Sequence, residues 1–579
     1  MPPDQPLVPE QKVKRVLFIM IDQLRWDYLS CYGHAALQTP NIDSLADRGV
    51  RFDRAYVQGT SCGNSRASFY TGRYVRSHGG TWNDIPFELN HLTLADHMKD
   101  AGIAKTVLIG KTHMRPDLAG LDRLGIDPDG ELGKYLANTG FDRGERDDGL
   151  HGEGPGGFYS EKEPRYNEYL REHGFDGPNP WLDWANSATG PDGRLLSGFY
   201  WEHGNKAARI PVEFSESAYM TDRAIEAIEA AGSDPWCVHL SYIKPHWPYI
   251  APAPYHEQYQ AADVQAVMRS TLEQDSTHPV YRAFADSRWS RSWALPNARE
   301  TVVPAYMGLI KQLDDEIGRL LKYLADRDLL DSTMIALTAD HGDYLGDHWL
   351  GEKDLFHDSV AKVPMIVVDP RPQADSTRGT VCDELVEAID LLPTFVAAAG
   401  GLVPEHRLEG QSLVPLMHGV AQPDWRRAVF SECDYGRLPV RAALNRTINN
   451  ARLTMCFDGR YKFVHCLGYQ PMMFDLQEDP HEFADRGSDP ALSGPRDAIK
   501  DRLLDWSAGL SNRTSLNSDS YTELMGKSAT RGILIGFWSA TDVPEAMRPE
   551  PRVAADRDGS APGSVRAGVA PFRHGDDLV

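Results

Sequence analysis

Four segments of the chain share one pattern: a short, uninterrupted apolar run that stops abruptly in polar residues able to do chemistry. Val16–Ile21 ends in Asp22-Gln23, and Thr106–Gly110 ends in Lys111-Thr112-His113. Trp236–Ile243 ends in Lys244-Pro245-His246, and Met334–Ala339 ends in Asp340-His341-Gly342. Runs of this length without alternation fit strands buried on both faces. Open α/β sheets bind their ligands beyond the carboxyl ends of such strands. Four runs ending in Asp, Lys and His therefore predict one shared site at one edge of a sheet.

Between these runs the spacing predicts helices. Leu92–Lys99 is one, closing near Gly102. Ile310, Leu313, Ile317, Leu320 and Leu324 recur at three- and four-residue intervals, as on a helix packed against a sheet. Leu385–Ala399 is another, stopped by Gly400-Gly401 and with Pro393 as its expected kink. Alternating strands and helices place the chain in the α/β class. Residues 115–215 are rich in Gly, Asp, Asn and Pro and carry little periodicity, so they read as a functional insertion that walls the site or meets another subunit. From residue 401 the pattern changes to short β-like pieces, Arg427–Glu432 and Arg460–His465, with a helix near Arg496–Ser507. The expected organisation is an α/β domain over 1–400, a smaller α+β unit over 401–540, and a polar tail over 541–579 in contact with another subunit.

Composition narrows the partners. The chain has 579 residues, 41% hydrophobic and 25% charged, ordinary for a globular protein. Its formal net charge of −23 argues against nucleic acid as a partner. An anionic ligand would need a metal and a few basic residues gathered locally. Seven cysteines, at 31, 62, 237, 382, 433, 456 and 466, form no CxxC pair or framework, which argues against disulfides and for a reducing cytoplasm. Met1–Lys14 is polar, and the Val16–Ile21 run is far short of the ~20 residues that span a bilayer, so neither a signal peptide nor a membrane segment is expected.

The strongest chemical signal is Ser61-Cys62-Gly63-Asn64-Ser65-Arg66 with Thr71-Gly72-Arg73. It resembles the sulfatase signature C-x-P-S-R-x-x-x-x-T-G-R, with Asn64 where the family has proline. Further matches are Thr39-Pro40-Asn41-Ile42-Asp43, Thr81-Trp82-Asn83, Lys244-Pro245-His246-Trp247-Pro248, Asp340-His341-Gly342-Asp343 and Gly410-Gln411-Ser412-Leu413. From about Val16 to Trp538 the chain is similar to the sulfatase and phosphonate monoester hydrolase branch of the alkaline phosphatase superfamily. Gln23, where many sulfatases have a second aspartate, and Thr81-Trp82-Asn83 point to the phosphonate side. Gly110, where those hydrolases are expected to have tyrosine, points away from it.

The resemblance implies a large, mostly parallel sheet sandwiched by helices, with a smaller C-terminal α+β subdomain. It implies that a maturase converts Cys62 to formylglycine, whose hydrated aldehyde is the nucleophile. Asp22, Gln23, Asp340, His341 and residue 62 would hold one divalent metal, Ca²⁺ or Mn²⁺, with Mg²⁺ also compatible with the oxygen-rich set. Arg66 would hold the geminal diol, and Lys111 and Lys353 the oxygens of the transferred group. His246 is the candidate acid for the leaving oxygen and His113 the candidate base. Asn83, Thr112 and Lys244 are expected to bind substrate; Asp343, Asp347 and His348 are expected to support turns or neighbours. The expected activity is hydrolysis of small anionic sulfate esters with overlapping phosphonate monoester or phosphodiester hydrolysis. The alternatives are a primary phosphonate monoester hydrolase or phosphodiesterase, a two-metal phosphodiesterase or phosphomutase, and a non-catalytic binding protein with unmodified Cys62. A homo-oligomer, dimer or tetramer, is expected, with no membrane partner.

Overall fold

In a computed structural model, the described residues are 11–83, 85–142, 144–149, 164–275, 278–510, 513–525 and 533–548. The chain divides into two compact units, 1–514 and 515–579. The first is built on an eight-stranded sheet. Its strands are β1 (Arg15–Ile21), β2 (Val50–Tyr56), β3 (Lys105–Gly110), β4 (Trp236–Tyr242), β5 (Met334–Ala339), β6 (Lys362–Val368), β7 (Thr380–Cys382) and β8 (Val386–Glu387). The order is β7-β2-β6-β5-β1-β4-β3, with β8 also on β2. The neighbours β5, β1, β4 and β3 run parallel, while β6 is antiparallel to both β5 and β2. β4 and β5 are buried along their whole length, as their uninterrupted apolar runs require.

Register brings the four run-ends together. Ile21 is opposite both Tyr242 and Ala339, and Gly110 is opposite Ser241. Asp22, Asp340 and Lys111 therefore leave the sheet side by side at its carboxyl edge.

Five helices matter for the site and its support: α1 (Cys62–Thr71), α2 (Glu216–Ala231), α3 (Ala298–Asp326), α4 (Leu391–Ala398) and α5 (Ser493–Gly509). α3 carries the predicted stripe, with Ile310, Leu313, Ile317, Leu320 and Leu324 buried, but it begins twelve residues before Ile310 and contains Pro304. α4 begins at Leu391, later than expected, so Pro393 sits in its first turn rather than at a kink. There its missing N–H removes no intrahelical bond. A four-stranded antiparallel sheet follows, Val429–Asp434, Arg452–Phe457, Tyr461–Cys466 and Met472–Asp475, with α5 packed on it through Ile499 and Leu503.

The irregular insertion is more than loops. Tyr166, Leu170, Trp181, Leu182, Ala188 and Ile210 form an apolar cluster of their own with Ile250. In the second unit, the described part contains the short helix Ser518–Glu523. Most of the expected 541–579 tail lies outside the described residues. All seven cysteines are free thiols. Among the described residues, no helix is long and apolar enough to cross a membrane.

Candidate active site

The site is built around the start of α1. Ser61 is its extended N-cap residue and Cys62 its first helical residue, and every residue of this helix is buried. Small side chains make that burial possible. A Cβ at Gly63 would lie 2.8 Å from Asn83 Cα and 2.9 Å from Trp82 O, so only glycine lets the two segments approach. The Gly63 N–H is taken by Asn83 Oδ1 at 2.7 Å. Asn64 locks the helix entry: its Oδ1 accepts from Ser61 N (3.0 Å) and its Nδ2 donates to Thr81 O (3.2 Å). The amino end of α1 thus lies beside the strand ends, where its dipole favours an anion.

Four potential ligand atoms, one each from Asp22, Cys62, Asp340 and His341, lie within 4.8 Å of one another, all buried. His341 Nδ1 is 2.8 Å from Gly342 O, so Nε2 is the nitrogen turned to Cys62 Sγ, 3.2 Å away. Asp340 Oδ1 accepts from the Gln23 and His341 backbone N–H groups, each at 3.0 Å. Gln23 is held in left-handed backbone (φ 62°) by Tyr306, whose hydroxyl donates to Gln23 O at 2.8 Å. Its Nε2 donates to Asp343, so its Oε1 is turned toward Lys353 Nζ, 3.2 Å away. Two carboxylates, an amide oxygen and an inward imidazole nitrogen fit a divalent cation of the hard-to-intermediate class.

Positive charge converges on the same point. Lys353 Nζ is 3.3 Å and Lys111 Nζ 3.8 Å from Cys62 Sγ, and Lys111 also pairs with Asp22. Burial alone would raise the Cys62 thiol, but Lys111, Lys353, His341 and a hydrogen bond with His113 hold it well below the ordinary thiol value. Burial and Cys62 likewise push Asp22 up, and Lys111, His246 and Arg66 bring it below the usual carboxylate range. Asp22, Asp340 and the Cys62 thiolate are thus balanced by Arg66, Lys111 and Lys353. This local concentration is how a chain of net charge −23 offers an anion a favourable place.

His246 and His113 both lie close enough to the thiol to be coupled to its ionisation. His246 Nδ1 lies 2.9 Å from Trp247 O, so Nε2 is the nitrogen left for proton exchange. Burial, then Lys111, lower its pKa to about 4, partly opposed by Asp22 and Cys62. His113 has left-handed backbone (φ 54°). Asp148 holds that turn by accepting both the Thr112 and His113 N–H groups at 2.8 Å. Burial would raise Asp148, but Arg146, His113 and these N–H groups hold it well below the usual carboxylate range.

Several expectations need correction. Arg66 is directed mainly to the carboxylates. Its Nε donates to Asp340 Oδ2 (2.9 Å), its Nη1 to Lys111 O (2.7 Å) and Ser241 Oγ (2.6 Å), and its Nη2 is 3.4 Å from Asp22. Nε and Nη1 are spent on Asp340 and on the ends of β3 and β4, while the buried Nη2 has only its approach to Asp22. Lys244 points elsewhere as well: its Nζ donates to Asn186 Oδ1 (2.8 Å) and Pro248 O (2.9 Å). The Thr112 hydroxyl lies by Asp148, 3.4 Å away. Gly110 has φ 95°, and a Cβ there would lie 2.0 Å from Ser241 O, so this backbone excludes a tyrosine. Asp343 does support a neighbour, accepting from Gln23 Nε2 and from Tyr249 OH (2.8 Å). Asp347 pairs with Arg25, and His348 with Glu273, away from the thiol.

Sequence reasoning missed Ser241, Asp148, Tyr249 and Asn186. Ser241 is a polar residue at the end of an apolar run and could have been found that way. Asp148 and Asn186 lie in the non-periodic insertion, where no pattern singles them out.

A family model described as sulfatase matches residues 14–401, and one described as the C-terminal part of N-sulphoglucosamine sulphohydrolase matches residues 346–508. The multifunctional alkaline phosphatase superfamily protein PehA of Trinickia caryophylli is 29% identical over 527 residues, 86% of this chain and 96% of the relative. An arylsulfatase of Clostridium perfringens is 28% identical over 431 residues, 73% of this chain and 82% of the relative. Among solved structures, the phosphonate monoester hydrolase SpPMH of Silicibacter pomeroyi superposes with a TM-score of 0.75 at 27% identity, covering 87% of this chain and 98% of that one.

Proposed function

Because the chain belongs to the sulfatase family, we propose that it is a formylglycine-dependent hydrolase of small anionic sulfate esters that also hydrolyses phosphonate monoesters or phosphodiesters. The observation that carries this reading is the Cys62 sulfur at the amino end of α1, with Lys353 and His341 Nε2 within 3.3 Å of it. Conversion of Cys62 to formylglycine would supply a hydrated aldehyde, whose second hydroxyl allows product to be expelled without water attacking the crowded centre. A divalent metal held by Asp22, Gln23, Asp340, His341 and residue 62 would polarise an ester oxygen and acidify the nucleophilic hydroxyl.

The chain's own groups do the rest. Lys111 and Lys353 hold the oxygens of the group being transferred, where negative charge accumulates. Arg66 keeps both metal-binding carboxylates in place. His246 takes up a proton from solvent water as the anionic ester arrives beside its neutral resting ring, and passes that proton from Nε2 to the leaving oxygen. His113, set by Asp148, removes the proton from the second hydroxyl. Asn83, on the Gly63 N–H, fixes the helix end that faces the anion. A maturase, a homo-oligomeric assembly and a cytoplasmic setting belong to the same proposal.

A second reading, a primary phosphonate monoester hydrolase, is favoured by Gln23 in place of a second aspartate and by the TM-score of 0.75 to a protein of that name. The test is kcat/KM of matured, metal-replete protein toward an aryl sulfate and a matched aryl phosphonate monoester, with mass spectrometry of the Cys62 peptide. Active protein whose Cys62 peptide carries only thiol would sink the formylglycine mechanism. A strong preference for the phosphonate ester would select the second reading.

A further inference from the structure

Lys244 sits two residues from His246 and yet faces away from the thiol. Its Nζ returns to Pro248 O at 2.9 Å, closing a ring of chain over residues 244–248 with His246 at its centre. The same Nζ donates to Asn186 Oδ1 at 2.8 Å. Asn186 is fully buried, and its Nδ2 donates to Trp181 O at 3.0 Å. Trp181 Nε1 in turn donates to Glu216 Oε1 at 2.6 Å. Glu216 is the carboxylate whose charge acts on Lys244, so the network closes on itself. Lys244, Asn186 and Glu216 are all at least nine-tenths buried. Asn186 and Trp181 belong to the irregular insertion, and Glu216 opens α2.

We propose that Lys244 is a positioning residue that clamps the His246 loop, and that the 164–215 insertion is the brace it clamps to. The ring fixes the segment from which His246 Nδ1 meets the neighbouring Trp247 carbonyl, and hence the direction of Nε2. A buried ammonium suits this task because its three donors can serve both carbonyl-type acceptors at once. A loop of this length without its closing bond samples other conformations, and proton transfer is sensitive to such displacement. The inference rests on the proposed role of His246 as the acid for the leaving group.

That dependence sets the experiment. Variants Lys244→Met, Asn186→Ala and His246→Ala are compared with the parent on a series of aryl esters whose phenols span low to high acidity. The series is sulfate or phenylphosphonate, whichever the parent hydrolyses faster. A good leaving group such as 4-nitrophenol needs little proton assistance, whereas phenol needs it fully. His246→Ala should lower kcat/KM by about 10²-fold or more for phenyl esters, within the usual range for general acid catalysis, and much less for 4-nitrophenyl esters. Lys244→Met and Asn186→Ala should both tilt the series in the same direction, each by about 10-fold between its two ends, without a selective rise in KM. Asn186→Ala keeps both buried charges, Lys244 and Glu216, and so tests the brace where Lys244→Met folds poorly. A uniform loss across the series, or a loss confined to KM, would overturn the positioning role. A flat response of His246→Ala would instead overturn the acid assignment itself, and the positioning role with it.

Discussion

Asn64 occupies the signature position at which the family has proline, and the structure shows what the asparagine does there. Its side chain accepts the buried Ser61 N–H and donates to the Thr81 carbonyl. Asn64→Ala removes both bonds. A typical intramolecular hydrogen bond contributes about 1 kcal/mol net, and a buried donor left unpaired costs about 1–3 kcal/mol. Ser61 N–H has no water to turn to, whereas the Thr81 carbonyl is in a half-buried segment and can be partly rehydrated. The expected loss is therefore about 2 kcal/mol of unfolding free energy, most of it from the stranded Ser61 N–H. Asn64→Pro should cost the same to within about 1 kcal/mol, because the third residue of a helix lacks an intrahelical N–H partner in any case. Asn64→Asp keeps an acceptor for Ser61, adds negative charge at a helix amino end and should lose less than either. The assay is urea unfolding followed by fluorescence, with the slope checked for constancy, and mass spectrometry of the Cys62 peptide after coexpression with a maturase. If Asn64→Ala cost under about 0.5 kcal/mol, the capping argument would be refuted.

Other consequences can be measured on the same protein. Lys353→Met, which removes the ammonium 3.3 Å from Cys62 Sγ, should lower kcat/KM of the folded protein by about 10²- to 10³-fold; a loss under fivefold would remove Lys353 from the transition state. Prolonged chelation should abolish turnover and lower the thermal midpoint, and Mn²⁺ or Ca²⁺ should restore both; Asp340→Asn should need more metal for half-recovery, and chelator-insensitive activity would count against a metal. His78 accepts the Gly80 N–H at Nδ1 (3.1 Å) and bonds Ser68 Oγ through Nε2 (2.9 Å), so the folded ring is neutral. Burial, then His91 and Arg73, lower its pKa from 6.5 to about 3. The unfolded chain therefore takes up the proton first: the stability this ring contributes is complete above pH 6.5 and is lost as pH falls toward 3, by up to about 5 kcal/mol. His78→Gln should flatten that part of the pH–stability curve, and an unchanged slope would place the acid sensitivity elsewhere.

Much of the fold could be read from the chain because burial on both faces leaves a direct mark. Val16–Ile21 and Met334–Ala339 are uninterrupted because β1 and β5 have no solvent face, and their ends had to lie at one edge of the sheet. Position along a strand is a one-dimensional property, so Asp22, Lys111 and Asp340 were found correctly as neighbours. The direction of a long cationic side chain is not one-dimensional. Arg66 and Lys244 occur in chemically suggestive motifs, but Arg66 grips the carboxylates beside the nucleophile and Lys244 turns to Asn186 and Pro248. Their reasons are electrostatic: a buried guanidinium between Asp22 and Asp340 gains more from two carboxylates than from a neutral diol, and the buried Lys244 ammonium settles on carbonyl-type acceptors within the field of Glu216. Those carboxylates are distant in sequence, so no local pattern announces them. The same holds for Asp148 and Asn186, which reach the site from a segment whose lack of periodicity reads as loop. An insertion is not bound by the sheet's period, and for that reason it can place single polar groups exactly where loops of the sheet need an anchor; its contribution becomes visible only through the partners, Thr112, His113 and Lys244, that it holds.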